Sequence, residues 1–270
     1  MSTTTMHLRS PLELLTAIPY ILGFQPTDSL VAVALTAGRV GLTCRTDLPG
    51  DGETRRVLDT LLPPLAREAP DQVIFVAYTD SPADAADALN VLAAALREAG
   101  IGIHDRLVVT AGRWRSLDCT TPGCCPPEGT PLDDGGTAAV AAEFVGHGIA
   151  PLPDRAALAA QLDPGPQADA VGRLLDRPRP CRMPLPRVVG GLWSRILDPS
   201  QDPPRIAAQE AAWAARTLRD HGIRDGLIAW LTPGQLDPSE LPEDVRSALA
   251  HLGPGSAKDG SERETSMRMR

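Results

Sequence analysis

The apolar positions of the chain change character about halfway along it. Up to residue 111 they gather into short unbroken runs, Leu30 to Leu35, Val73 to Tyr78 and Leu107 to Val109, separated by stretches with helical spacing. Unbroken runs of this length, rich in Val and Ile, read as strands buried on both faces. Ser10-Pro11 with Glu13 three residues after the serine predicts a helix from 10 to 18, with Pro19 and Gly23 as its stop. Residues 30–35 and 39–45 flank Thr36-Ala37-Gly38 and predict a β-hairpin. A helix over 54–68, a strand over 72–78, a helix from Pro82 to Ala99 closed by Gly100 and a strand over 102–110 complete the first half.

Strand, helix, strand, helix, strand in that order predicts a three-layer α/β domain over residues 10–135. Its sheet should be mixed but mainly parallel, with the first hairpin strand lying antiparallel on it. Ligands of such sheets sit beyond the carboxyl ends of the strands. Those ends carry Arg45 and Asp47, then Tyr78, Thr79 and Asp80, then Arg113 and Trp114. Arg45, Asp47, Asp80, Arg113 and Trp114 are therefore the expected ligand-binding edge. Each has a plain structural alternative: the aspartates cap turns or helices, and the tryptophan covers the edge of the core.

After Gly129 the pattern turns helical and rich in alanine. Helices are expected over 137–147, 154–162, 167–176, 204–221, 223–231 and 238–252, with the Arg/Pro-rich stretch 177–187 as a loop. Together these make a helical C-terminal region, 136–252, expected to pack on the first domain. Residues 253–270 are polar and without periodicity, the pattern of a disordered tail.

Composition narrows the function classes. Hydrophobic residues make up 43% of the chain and aromatics only 3%, so Ala, Leu and Val must fill the core. A formal net charge of −8 argues against general nucleic-acid binding, which needs clustered cations. No stretch reaches the roughly 18 apolar residues of a membrane span, and the first ten residues lack a secretion signal. The expected location is cytoplasmic, where thiols stay reduced. One basic island stands out over 171–197, with Arg173, Arg177, Arg179, Arg182, Arg187 and Arg195 against Asp176 alone. Such an island receives phosphate, carboxylate or an acidic partner, or is simply a solvated surface.

The densest chemistry lies in residues 113–129, where three cysteines, a tryptophan, two arginines and three prolines share seventeen positions. Proline excludes a helix or a central strand, so the whole stretch reads as a rigid loop. Cys119, Cys124 and Cys125 have three readings. They are zinc ligands, with Cys44, Cys181, His104, Asp118 or His147 as the fourth. Alternatively they are a redox group activated by Arg113 and Arg115, or small apolar side chains buried under the loop. The sequence holds no Gly-rich dinucleotide or phosphate loop, no GxSxG elbow and no HExxH pair.

Gly23 through Val31, Arg45-Thr46-Asp47-Leu48-Pro49, Gly112-Arg113-Trp114 and Cys119 through Pro126 resemble, in this order, motifs of an actinobacterial family known only as domain-of-unknown-function family 4192. Ile223-Arg224-Asp225-Gly226-Leu227 resembles a weaker motif of its helical half. The resemblance implies actinobacterial origin and a cytoplasmic location, and it supplies no reaction. Members of that family continue at the C-terminus into a further helical region, where this chain has its polar tail. The function expected from these residues is a module that binds a small anionic ligand or a protein partner at the strand ends. The competing expectation is a thiol- or metal-dependent enzyme using the Cys119/Cys124/Cys125 loop, with Asp47 or Asp80 carrying protons.

Overall fold

The structure, a computed structural model, describes residues 5–50, 52–121, 124–132, 137–176, 186–198, 200, 206–231, 241–252 and 266–269. The chain forms two compact units, Met1–Gln161 with Glu262–Arg270, and Leu162–Ser261.

The first unit contains β1 (Thr5–Leu8), α1 (Pro11–Leu22), β2 (Ser29–Thr36), β3 (Arg39–Asp47), α2 (Thr54–Glu68), β4 (Gln72–Tyr78) and α3 (Pro82–Glu98). After these come β5 (Gly102–Thr110), β6 (Arg113–Ser116), β7 (Thr130–Pro131), α4 (Ala138–Gly146), α5 (Arg155–Ala160) and β8 (Ser266–Met269). Ser10 caps α1 by accepting the Glu13 amide at 3.3 Å. Pro19 lies inside this helix instead of stopping it, and the end comes at Gly23, which takes the left-handed conformation. One backbone bond is lost at the proline, but its ring is buried with Leu14, Leu15, Ala17 and Ile18, which offsets that loss.

The eight strands among the described residues are ordered β1-β8-β3-β2-β4-β5-β6-β7. Among them only β1–β8 and β4–β5 are parallel pairs, so the mainly parallel sheet expected from the element order is corrected to a mostly antiparallel one. The reason is where the hairpin sits. β2 is inserted between β3 and β4 and runs antiparallel to both. The α2 crossover thus passes over β2 before reaching β4, a split β-α-β arrangement. β3, β4 and β5 nevertheless all run in the same direction.

Two tight turns build the hairpins at either side of this core. Thr36-Ala37-Gly38-Arg39 joins β2 to β3, and the same tetrapeptide, Thr110-Ala111-Gly112-Arg113, joins β5 to β6. In both turns the alanine and the glycine have positive φ, 50° and 72° in the first and 47° and 72° in the second, which is the two-residue type I′ geometry. Residues 113–116 are accordingly a strand, and the loop expected over 113–129 begins only at Leu117.

Helices cover both faces of the sheet, giving three layers. On one face, α1 and α4 bury Leu14, Ile18, Val140 and Phe144 against Val31, Val33, Ile74, Val76, Tyr78 and Trp114. Phe144 stacks on Tyr20 with centroids 4.8 Å apart. On the other face, α2 and α3 bury Leu61, Leu65, Leu89 and Leu92 against Leu30, Ala32, Phe75 and Val108. No helix among the described residues is long and apolar enough to cross a membrane.

The second unit contains α6 (Ala168–Leu175), α7 (Pro186–Ile196), α8 (Ala208–Thr217), α9 (His221–Leu231) and α10 (Glu243–Leu249). Its core gathers Val189, Leu192, Trp193, Leu227, Trp230, Val245 and Leu249. The Trp193 indole donates to the buried Thr217 hydroxyl at 3.0 Å, so that polar pair is satisfied. The helix expected over 204–221 is shorter, because the chain turns at 218–220 before α9; residues 201–205 lie outside the described residues. So does 177–185 of the basic stretch. Of the expected tail, 253–265 and 270 lie outside them, while Ser266–Met269 is strand β8.

Candidate functional site

The shared direction of β3, β4 and β5 brings their carboxyl ends to one rim. Successive register pairs place Asp47, Ser29, Tyr78, Val109, Trp114 and Thr130 in a single row across six strands. Because paired residues share a face, this row projects toward α1 and α4. Arg45, two residues before Asp47, projects the same way. Its Nε donates to the Ser29 hydroxyl at 2.9 Å, and its guanidinium pairs with Asp47 at 2.5 Å. The Ser29 hydroxyl in turn donates to the Thr27 carbonyl at 2.6 Å. Arg155, at the start of α5, stands 3.7 Å from the same Asp47 carboxylate. Asp47 thus lies between two arginines, and Arg45 is held by the β2 and β3 strand ends it joins. Asp80 is exposed at the turn into α3 and has no hydrogen bond or ion pair among the described residues.

Trp114 is buried, with a relative exposure of 8%, and belongs to the core on the α1 side. Its neighbours along β6, Arg113 and Arg115, alternate to the opposite face, where they pair in register with Thr110 and Val108. Arg113 is a clamp. Its Nε and one terminal nitrogen donate to the carbonyls of Glu128 and Gly129 at 2.8 and 2.7 Å, holding the returning loop against the strand. Gly129 is required there: its φ is +75°, and a Cβ would lie 2.9 Å from the Trp114 carbonyl oxygen.

Between the clamped loop, β5, β6 and Pro82 at the start of α3 lies a half-open cavity of about 170 Å³. Thr110, Arg113, Arg115, Glu128 and Gly129 line it. Arg115 is half-buried and has no hydrogen-bond or ion-pair partner among the described residues. Ser81, the residue before α3, makes no side-chain cap. The cavity therefore sits at the carboxyl ends of the parallel β4–β5 pair, beside an uncapped 17-residue helix. Arg115 and Thr110 were not among the edge residues expected from sequence. Arg-Trp-Arg alternation carried the signal, but only once the stretch is known to be a strand.

The cysteines lie apart from this rim. β6 runs antiparallel to β5, so the chain leaves Trp114 and travels back along β5; by Leu117 its amide donates to the Arg106 carbonyl at 2.8 Å. Ser116 organises the start of the cysteine loop. Its hydroxyl donates to Asp105 at 2.6 Å and accepts the amides of Asp118 and Cys119, both at 3.0 Å. Arg106 grips Asp118 through both carboxylate oxygens at 3.0 and 2.5 Å and also reaches Asn90. That hydrogen-bonded guanidinium holds the Asp118 carboxyl below the usual carboxylate range.

Beyond Thr121 the chain turns back, with the Thr121 carbonyl accepting the amides of Cys124 and Cys125 at 3.0 and 2.8 Å. The three sulfurs converge: Cys119, Cys124 and Cys125 Sγ lie within 4.8 Å of one another, and the two vicinal ones are 3.9 Å apart. The backbone amide of Thr121, and after it the Cys125 thiol, lower the Cys119 pKa. Burial, and after it the Cys119 thiol, push Cys125 up to about 11. Cys124 is exposed, the other two are half-buried, and none belongs to a core cluster, so packing under the loop does not describe them.

Those fourth-ligand candidates that lie among the described residues are engaged elsewhere. Cys44 packs against the α2–α3 core and its thiol pKa is raised by burial. The His104 ring bonds Gln72 at 2.9 Å, and His147 pairs with Glu143 within α4. Asp118 is held by Arg106, and Cys181 lies outside the described residues.

No curated protein and no solved structure matches the chain. A family profile described as a domain of unknown function, DUF4192, matches residues 11–250. That span takes in the Ser29–Arg45–Asp47 network, the clamped β6 hairpin, the cysteine loop and nearly all of the second unit. The chain belongs to the DUF4192 family of domains of unknown function.

Proposed function

We propose that the first unit is a ligand-binding module, acting in the cytoplasm, that takes a small anion carrying phosphate or carboxylate in the cavity beside Arg115. The observation that carries this reading is Arg115, which has no partner among the described residues and lines a cavity of about 170 Å³ at the carboxyl ends of β4 and β5. A half-buried cation without a counter-ion is the natural partner of an anion. Thr110 adds a hydroxyl, and a helix start with no side-chain cap favours negative charge. On a chain of net charge −8 an anion needs such a local basic spot. A second reading, thiol or metal chemistry on the cysteine loop, is favoured by the convergence of the three sulfurs.

Titration calorimetry with inorganic phosphate and a panel of small mono- and dicarboxylates tests the anion site, alongside melting curves at rising ligand concentration. At least one of these anions is expected to bind saturably and raise the melting temperature. Arg115→Gln is expected to weaken that binding tenfold or more, with the ligand-free melting temperature unchanged. Binding that survives this substitution, or a panel with no binder, sinks the reading.

A further inference from the structure

We propose that Cys119, Cys124 and Cys125 form a three-thiolate cradle for one thiophilic divalent cation of the zinc class. The site is separate from the anion cavity. Arg113 and Trp114 stand at the rim, whereas the Cys119 end of the loop is tied to Asp105 and Arg106 further back along β5.

Geometry is the first argument. A tetrahedral zinc ion with Zn–S bonds of about 2.3 Å holds its sulfurs about 3.8 Å apart. Cys124 and Cys125 are already 3.9 Å apart, and all three sulfurs fall within 4.8 Å. Vicinal cysteines normally splay. Here the two successive amides given to one Thr121 carbonyl curl the backbone so that both sulfurs face the third.

Preorganisation is the second argument. The Cys119 amide is fixed by Ser116, which is itself anchored on Asp105. At the other end of the loop, Pro126 and Pro127 stiffen the chain up to the Glu128 and Gly129 carbonyls clamped by Arg113. The described ends of the loop are thus fixed before an ion enters.

Donor chemistry sets the class of ion. Three sulfurs with no free carboxylate among them select a soft or borderline cation over Mg²⁺ or Ca²⁺. Asp118, the nearest carboxylate in sequence, is turned to Arg106. Cys124 is exposed and the other two are half-buried, which leaves the ion a path in. On binding, each thiol loses its proton to solvent as its sulfur takes up the metal, so three protons leave per ion. The fourth position is left to a donor from outside the cradle.

The test uses the full chain, reduced and metal-free. Native mass spectrometry after addition of Zn²⁺ is expected to show one ion per chain, and zinc-edge X-ray absorption to show three sulfur neighbours. Cys119→Ser, Cys124→Ser and Cys125→Ser are each expected to weaken zinc affinity tenfold or more, and Cys44→Ser to leave it unchanged. Melting curves of the metal-free variants guard against misfolding, and the absorption spectrum of the unmutated chain needs no variant at all. Fewer than three sulfur neighbours, or no zinc retained at one equivalent, overturns the proposal. So does a reduced chain that ignores zinc but closes a disulfide within the loop under a mild thiol oxidant, which would assign these residues to redox chemistry.

Discussion

Tyr78 and Trp114 lie in the same cross-strand row with Val109 between them, and each buries a polar atom that has no hydrogen-bond partner among the described residues. Burial drives the Tyr78 phenol pKa well above its ordinary value, as expected of a hydroxyl cut off from water. A buried donor without an acceptor leaves its desolvation uncompensated, which is the expensive half of a hydrogen bond. Removing such an atom breaks nothing. Tyr78→Phe is therefore expected to leave the free energy of unfolding unchanged or to raise it by up to about 1 kcal/mol. Urea denaturation reads this directly. A loss of stability of about 1 kcal/mol or more would show that the hydroxyl has an acceptor after all. Trp114 also shows what one residue type leaves open in a sequence. Ring stacking on a ligand and cover for the core edge are both open to it; its burial puts it in the α1-side core, while the residue also lines the cavity.

At the scale of elements, the strands and helices of the first half were legible because their signals are local. Val73 to Tyr78 is continuous and apolar, and β4 spans Gln72–Tyr78; α2 and β5 likewise match their patterns. Strand neighbours were not legible. Nothing in the order of elements says whether the α2 crossover lands beside β3 or one strand further on, and that choice turned a parallel sheet into a mostly antiparallel one. The rim survived because skipping one antiparallel strand preserves direction. The β5–β6 hairpin had a usable signal, the repeat of Thr-Ala-Gly-Arg at 36–39 and 110–113, masked by the prolines beyond it. The convergence of adjacent Cys124 and Cys125 with Cys119 depends on a turn around Thr121 that spacing alone does not encode. In the second unit, the start of α8 was misplaced because Glu210, not a residue near 204, sets it. Glu210 accepts the Ala207 amide at 2.9 Å and the Arg195 guanidinium at 2.5 Å. Arg195 first, then the Ala207 amide, lower its pKa. A carboxylate whose folded pKa is lowered contributes stability above its unfolded value, about 4.3, and loses it as pH falls through the folded one. Glu210→Gln should thus lower the melting temperature at pH 7. The gap should close as pH falls through the lowered folded pKa, below which both proteins carry a neutral side chain. A gap that stays constant from pH 7 into the acid range would assign the effect to packing instead of charge.

For the whole molecule, the order β1-β8-β3 means that the first and last described segments of the chain depend on each other. β1 pairs with β8 along its full length, Thr5 to Leu8 against Ser266 to Met269, in parallel register. β8 meets β3 through a single pair, Arg39 with Arg268. Among the described strands β1 therefore reaches the main sheet by way of β8, and its other holds are Leu8, fully buried against the α1 side of the core, and the partly buried Met6. A parallel pair at the edge of a sheet, joined through one bridge, belongs to the low-stability end of a fold. Ending the chain at Ser261 removes β8 and leaves the β3 edge unpaired. Amide exchange read by mass spectrometry should then show protection lost over Met6 to Leu8, with β2, β4 and β5 exchanging as slowly as before, because those strands are bracketed on both sides and buried by α2 and α3. Loss of protection in β4 or β5 would mean that the two ends of the chain hold the central sheet together. Unchanged protection in β1 would mean that the core packing of Leu8 and Met6 anchors it, and that β8 is an ornament of the edge.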